Sequence, residues 1–168
     1  MAHINKVHEA HMKSAWNYAP LSSCLRRKVG CIFVKGDNII SIGYNGTPKG
    51  WDNCCEDENN VSHPHVIHAE ENAIHKLLNS GETPEGSYVY LTASPCLPCA
   101  KLLAGARVSK VFYGEEYRLT DGLDYLNKHG IETVFFPVDI VKTDKDCVPC
   151  NKIRNYFRKM FHLFLGGV

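Results

Sequence analysis

Apolar positions in the first part of the chain change from a helical spacing to a strand spacing. They recur every three or four residues over 4–19, which predicts a helix that Pro20 ends. Two β-branched runs follow, over 29–34 and 39–44, on either side of the turn residues 35–38. This pattern predicts a β-hairpin.

Helical and strand patterns then alternate along the chain. The predicted helices cover 68–79, 96–106, 122–129 and 151–164, and the predicted strands cover 87–92, 110–113 and 132–136. An opening hairpin followed by this alternation predicts an α/β fold, a three-layer α/β/α sandwich around a mixed five-stranded sheet. The 168 residues are expected to form a single domain over 1–168, with a core at 4–136 and a C-terminal extension at 137–168.

Composition and charge narrow the choice of partners. A formal net charge of +1 lacks the basic excess expected of a polynucleotide-binding protein, and no apolar run approaches the roughly 20 residues of a membrane span. The N-terminal residues are polar, unlike a secretory signal, and His3, His8 and His11 are expected to face solvent. Because at least two of the eight cysteines have an explanation as metal ligands, we expect a cytoplasmic location.

His68, Glu70, Cys96 and Cys99 are the strongest candidates for chemistry. One imidazole and two thiolates suit tetrahedral Zn²⁺ and leave its fourth position open to water, as in catalytic sites. Cys96 and Cys99 are three residues apart at a predicted helix start, so both sulfurs can share a face where the thiol pKa is lowered. Glu70 is too close to His68 to be a comfortable fourth ligand, but it can reach water at the open position.

A structural zinc site is the alternative for these residues, and a thiol pair unrelated to His68 is another. A closed structural site has four protein ligands and gives no reason for Glu70. We therefore predict a catalytic zinc bound by His68, Cys96 and Cys99, with Glu70 as the general acid and base.

This spacing, His-x-Glu followed by Pro-Cys-x-x-Cys, resembles the zinc-dependent cytidine/deoxycytidylate deaminase family. The resemblance extends over about 4–136 and is closest to the phage and bacterial deoxycytidylate branch. The similar stretches are Val29-Gly30-Cys31, Gly-Tyr-Asn-Gly at 43–46 and His-Ala-Glu-x-Asn-Ala-Ile at 68–74. It implies a cytidine-deaminase-like sandwich and hydrolysis of dCMP to dUMP and ammonia, which supplies dUMP for thymidylate synthesis.

The resemblance also assigns substrate contacts. It implies that Asn45 holds the sugar 3′-hydroxyl, although Asn45 taken alone is more typical of a turn. It implies that the Ala69 amide helps to fix the base and that the backbone around Ser94 accepts from the exocyclic amine. Val29 would border the base, and Tyr117 would close the site.

Arg26, Arg27 and Lys28 form a basic connector that leads into Val29. An arginine presents paired donors that suit phosphate, and Arg26 matches an arginine of bacterial-type members. Arg26 is therefore predicted to bind the 5′-phosphate of a nucleotide. The alternative is that the connector carries solvated surface charges.

Phage and bacterial deoxycytidylate deaminases often carry a second, structural zinc. Cys24 and Cys54 match two cysteines of that site, and His63 and His65 would complete a closed Cys₂His₂ set. Cys55 is an alternative to Cys54 in this set, and the sequence does not decide between them. The alternative is that these side chains are unliganded residues of a polar loop.

Many members of the family are hexamers that dCTP activates and dTTP inhibits, which implies an effector site and Mg²⁺ carried by the triphosphate. The candidates for that site are Lys28, Gly46, Lys49 and Asn72. Two interpretations of Cys147 and Cys150 stay open. They are either a pair of thiols in a terminal loop or ligands of a metal site shared with a partner chain.

Two other functions compete with dCMP deamination. One is deamination of another substrate, such as a nucleoside or a tRNA adenosine. The other is a non-catalytic zinc-binding protein like the deaminase-like proteins encoded with DNA-uptake genes. The intact Glu70 favours catalysis.

Overall fold

Within residues 2–140, which the computed structural model describes, helices flank one mixed sheet. The helices are α1 (Ala2–Tyr18), α2 (Ala69–Leu77), α3 (Leu97–Gly105) and α4 (Asp121–Lys128), with a 3₁₀ helix (Ala19–Leu21) directly after α1. The strands are β1 (Gly30–Lys35), β2 (Asn38–Tyr44), β3 (Tyr88–Ala93), β4 (Lys110–Glu115) and β5 (Glu132–Phe135). No helix in this part of the chain has the length and apolarity needed to cross a membrane.

These elements confirm the predicted hairpin, helices and strands over this range, with ends that differ by one or two residues. The predicted helix at 151–164 lies outside the described residues, as do Cys147 and Cys150. The single domain over 1–168 and its C-terminal extension stay predictions.

The sheet has the strand order β2-β1-β3-β4-β5. β1 pairs antiparallel with both β2 and β3, whereas β3, β4 and β5 run parallel. The carboxyl ends of parallel strands share one edge of the sheet, so the helices that follow β3 and β4 begin there. The starts of α3 and α4 are therefore brought to the same edge.

Side chains alternate between the two faces of the sheet, and each face has its own apolar cluster. On β1, Cys31 and Phe33 pack on the face that α2, α3 and α4 cover. Ile32, on the opposite face, packs with Met12 of α1. Helices thus cover both faces, which confirms the three-layer α/β/α sandwich.

The histidines of α1 do not all face solvent as expected. His8 Nδ1 lies 2.7 Å from the Tyr90 hydroxyl, and the centres of the His8 and Phe112 rings are 4.6 Å apart. His11 Nε2 is buried. His8 and His11 share a helix face with Met12, so packing that face on the sheet leaves both histidines only partly exposed.

Gly43, on β2, allows the sheet to approach the first turn of α2 closely. A Cβ at this position would overlap the carbonyl oxygen of Ala69 and lie 2.7 Å from the Ala73 nitrogen. Both neighbours are backbone atoms that cannot rotate away. Glycine is therefore required where β2 crosses the start of α2, and this contact sets the height of α2 above the sheet.

Replacing Gly43 with alanine should push α2 away from the sheet. We expect Gly43→Ala to lower the free energy of unfolding by about 1–3 kcal/mol, as overpacking does, and to weaken metal binding at the start of α2. Urea denaturation and zinc content measure the two effects. Gly105→Ala is the matched control, because Gly105 is exposed with nothing within 4 Å of its Cβ position. Equal stability of the two variants would contradict this account.

Candidate active site

Two helix starts supply the metal-ligating side chains. His68 is the N-cap of α2, with φ −75° and ψ 160°, and Cys96 is the N-cap of α3, with φ −72° and ψ 165°. Cys99 lies in the first turn of α3, after Pro98, whose missing N–H would have no partner within the helix. The three side chains therefore converge where the helix N-termini favour anionic groups.

His68, Cys96 and Cys99 lie at distances that suit one zinc ion. The Nδ1 atom of His68 is 3.5 Å from Cys96 Sγ and 3.3 Å from Cys99 Sγ. Zn–S bonds of about 2.3 Å and Zn–N bonds of about 2.0–2.1 Å place sulfur and nitrogen roughly 3.5 Å apart in a tetrahedral site. Among the described residues, no other group of three or more His, Cys, Asp or Glu side chains meets so closely. The donor set fits zinc.

The two thiols are electrostatically unequal. Hydrogen bonds from Cys99 and His68 lower the pKa of Cys96, which favours the thiolate form of its sulfur. The pKa of Cys99 is raised, because the Cys96 sulfur lies beside it and burial disfavours a second negative charge. A divalent cation between the sulfurs removes this conflict and allows both to ionise.

Glu70 lies in the first turn of α2 and is 4% exposed. Burial raises the pKa of its carboxyl above the usual value, which brings it closer to the range in which a carboxyl group both accepts and donates protons near neutral pH. Glu70 and His68 line the same cavity. The carboxyl therefore lies on the same cavity as a metal ligand, and its role in proton transfer stays a prediction.

The cavity beside these residues has a volume of about 330 Å³. It brings together every side chain that the sequence assigned to the substrate: Arg26, Val29, Asn45, Ala69, Ser94 and Tyr117. Their roles toward a substrate stay predictions. The effector candidates Lys28, Gly46, Lys49 and Asn72 are not among its lining residues.

Ser94 positions the wall that Tyr117 forms. Its hydroxyl oxygen accepts from the Tyr117 N–H at 2.7 Å, and its own N–H donates to the Glu115 carbonyl oxygen at 2.8 Å. The chain after β4 is therefore tied to the end of β3. Tyr117 is held over the cavity by these two bonds.

The side chain of Asn45 holds the basic connector in place through two hydrogen bonds. Its Oδ1 accepts from the Val29 N–H, and its Nδ2 donates to the Arg27 carbonyl oxygen, both at 2.8 Å. One N–H of the amide is left for another acceptor. The predicted bond to a 3′-hydroxyl would use that hydrogen, while the other contacts give Asn45 a positioning role that sequence analysis missed.

The predicted second zinc set is not assembled as expected. Cys24 forms a disulfide with Cys55, with 5.1 Å between their Cα atoms, whereas Cys54 is a free thiol. The rings of His63 and His65 stack 5.0 Å apart rather than converging on Cys54. Cys55, the alternative to Cys54, thus lies beside Cys24, and the second zinc stays a prediction.

Hydrogen bonds explain why Cys55 faces Cys24. The Glu56 carboxylate accepts from the N–H groups of Leu25 and Arg26, at 3.1 and 3.2 Å. This contact aligns residue 55 with residue 24 across the two loops. Glu56 also lines the cavity, and no sequence pattern pointed to it, because its partners are distant backbone groups.

The loop that carries the effector candidates lies against the start of α2. Gly46 and Ile67 exchange two backbone hydrogen bonds, at 2.9 and 3.1 Å, and Asn72 Nδ2 donates to the Tyr44 carbonyl oxygen at 2.8 Å. Lys49 is exposed. These contacts give Gly46 and Asn72 a structural role, and an effector role stays a prediction.

Comparison with known proteins identifies related sequences and structures. A family model described as the cytidine and deoxycytidylate deaminase zinc-binding region matches residues 5–115. The crystal structure of dCMP deaminase from the cyanophage S-TIM5, in complex with dCMP and dUMP, is 46% identical with a TM-score of 0.75. That similarity covers 76% of this chain and 95% of the cyanophage chain.

Two curated relatives are also similar. The deoxycytidylate deaminase of enterobacteria phage T4 is 31% identical, over 69% of this chain and 82% of the phage protein. The deoxycytidylate deaminase of Saccharomyces cerevisiae is 36% identical over 66% of this chain. This chain covers 38% of that yeast protein, little more than a third of its length.

Metal content should separate the ligands from Glu70. We expect Cys96→Ala to lose zinc on dialysis, since two protein ligands hold Zn²⁺ far more weakly than three, whereas Glu70→Gln should retain about one zinc at this site. Elemental analysis of the purified variants measures this. Loss of zinc from Glu70→Gln to the same extent as from Cys96→Ala would show that Glu70 is a ligand.

Proposed function

Since the chain belongs to the cytidine and deoxycytidylate deaminase family, we propose that it hydrolyses dCMP to dUMP and ammonia. The observation that carries this proposal is one cavity that is lined by residues of the His-Cys-Cys metal site, by Glu70 and by two arginines. The similarity to the cyanophage dCMP deaminase and to the phage T4 enzyme supports the choice of substrate.

The reaction replaces the exocyclic amine on cytosine C4 with oxygen from water. His68, Cys96 and Cys99 would hold a zinc ion, which would supply a water whose pKa is lowered to about 7. Glu70 would accept a proton from the attacking water and pass it to ring N3. It would then take the remaining proton of the new C4 hydroxyl and give it to the amine, which leaves as ammonia. Its burial suits this sequence, because a raised pKa eases the donation steps.

Residues along the cavity wall orient the base. Ala69 begins α2, so its N–H is among the donors that have no partner within the helix and can bind the pyrimidine. The backbone at Ser94 would accept from the amine before it leaves. Val29 and Tyr117 offer apolar surfaces on the cavity, which exclude water from the ring.

The choice of a nucleotide over a nucleoside rests on the connector. Arg26 and Arg27 both line the cavity, and the paired donors of an arginine suit a 5′-phosphate. Asn45 would hold the 3′-hydroxyl through its remaining N–H. Supply of dUMP for thymidylate synthesis follows from the proposed product.

Regulation belongs to the same proposal. Hexamer assembly, activation by dCTP with its Mg²⁺ and inhibition by dTTP rest on the family resemblance. Lys28, Gly46, Lys49 and Asn72 are the proposed effector contacts. Their place outside the substrate cavity is compatible with a separate site.

Ammonia release from a panel of substrates tests the reaction. We expect kcat/KM to be highest for dCMP and lower for CMP, deoxycytidine and cytidine, with no release from adenosine-containing RNA. The zinc-loaded Glu70→Gln variant is the control and should lose nearly all turnover. A preference for RNA or for free cytidine would point to another deaminase, and no turnover on any substrate would favour a non-catalytic zinc protein.

A second zinc is proposed at a revised position. In reduced protein, Cys24 and Cys55 would bind it as thiolates, with His63 nearby because its N–H donates to the Cys55 carbonyl oxygen at 2.8 Å. We expect about two zincs per chain in reductant, about one in Cys55→Ser, and no change in Cys54→Ser. A stoichiometry of one in the reduced wild type would contradict this proposal.

A further inference from the structure

Arg26 and Arg27 are adjacent in sequence, but their side chains have different surroundings. The Arg27 side chain is 32% exposed, and its Nη2 donates to Glu115 Oε2 at 3.2 Å. Its guanidinium carbon lies 5.3 Å from the centre of the Tyr117 ring. Arg26 is exposed, and its backbone N–H donates to Glu56. Arg27 is therefore the more ordered cation of the two.

The backbone of Arg27 is held as firmly as its guanidinium. Its carbonyl oxygen accepts from Asn45 at 2.8 Å, and the Val29 N–H donates to the same side-chain amide. On the other side, Glu56 accepts from the Arg26 N–H. The Arg27 Cα is thus fixed at the wall of the cavity, and its side chain needs little further ordering to bind a ligand.

The contact with Glu115 leaves most of the guanidinium available. An arginine has five N–H donors in a planar fork, and one donor is engaged here. The Tyr117 ring supports one face of the guanidinium, which restricts the plane without occupying its donors. Glu115 is 44% exposed, and an exposed pair of this kind contributes little to stability. A phosphate dianion is a stronger acceptor and can replace it.

The surroundings of Arg26 are less suitable for binding an anion than those of Arg27, because an anchored carboxylate lies beside the backbone of Arg26. Glu56 lines the cavity and is fixed by two backbone N–H groups, including that of Arg26 itself. A carboxylate anchored in this way cannot turn into solvent without losing both bonds. A phosphate bound beside Arg26 would lie near this negative charge.

We propose that Arg27, backed by Tyr117, binds the 5′-phosphate and determines the preference for a nucleotide over a nucleoside. Glu115 is the partner of Arg27 in the absence of substrate. Arg26, the arginine that the sequence favoured, contributes less. This inference rests on the proposed deamination of dCMP.

Kinetics on two substrates test the assignment in the zinc-loaded full chain. Arg27→Ala should lower kcat/KM for dCMP by about ten- to a hundredfold and affect deoxycytidine far less, as loss of a charge-assisted contact to phosphate requires. Arg27→Lys, which keeps the charge without the fork, should fall between wild type and Arg27→Ala. Arg26→Ala should change the ratio of kcat/KM for dCMP to kcat/KM for deoxycytidine by less than Arg27→Ala does.

Arg107→Ala is the matched control. Arg107 pairs with Glu85 at the surface, at 3.3 Å, and is not among the residues that line the cavity. Arg107→Ala should leave kcat/KM unchanged for both dCMP and deoxycytidine. Zinc content and circular dichroism confirm that each variant is folded, and Arg27→Gln replaces Arg27→Ala where the alanine variant does not fold.

Binding of the product gives a readout that does not depend on turnover. In calorimetry, Arg27→Ala should weaken the binding of dUMP by the same factor by which it lowers kcat/KM for dCMP. The binding of deoxyuridine should not change. Equal losses for dCMP and deoxycytidine, or a larger selective loss in Arg26→Ala, would overturn the assignment of Arg27. An inactive wild type would instead overturn the deamination of dCMP, and dUMP binding would still decide whether Arg27 binds phosphate.

Discussion

The meeting of two helix starts at one edge of the sheet is the constraint on which the site depends. His68 begins α2, and Cys96 and Cys99 begin α3, which follows the central strand β3. Their ligand atoms lie within 4.8 Å of one another. Bringing two thiolates together is unfavourable unless a cation compensates them, so the metal that the chemistry needs also stabilises the arrangement that binds it. Close contact of the sheet with α2 at Gly43 keeps the first of these helices at the required height.

One cavity brings the metal site and the basic connector together. Its lining includes the metal ligands His68 and Cys96, the carboxyl group of Glu70 and the two connector arginines. Tyr117, held by Ser94, lines the same cavity. A metal site and cations on a single cavity suit a small molecule that carries both a polar ring and a phosphate.

The connector between α1 and β1 has little regular structure of its own, so distant residues hold it in place. The Cys24–Cys55 disulfide, the Glu56 carboxylate and the Asn45 amide each tie it to another part of the chain. Satisfying its backbone groups in this way lets an irregular segment line a cavity without leaving polar groups unpaired. The direction of the Arg27 side chain follows from contacts that lie far from it in the sequence.

The amino-acid sequence alone determined the elements, the layers and the metal site. Hydrophobic periodicity is local, and the spacing of His68, Glu70, Cys96 and Cys99 is imposed by the chemistry of zinc, so both can be recognised without a structure. The tertiary structure decided what depends on contacts between distant segments. It paired Cys24 with Cys55 rather than Cys54, packed His8 against the sheet, and distinguished Arg27 from Arg26. A sequence shows which donors and charges are present, but neighbouring residues of the same type become different only when the fold places separate partners beside each of them.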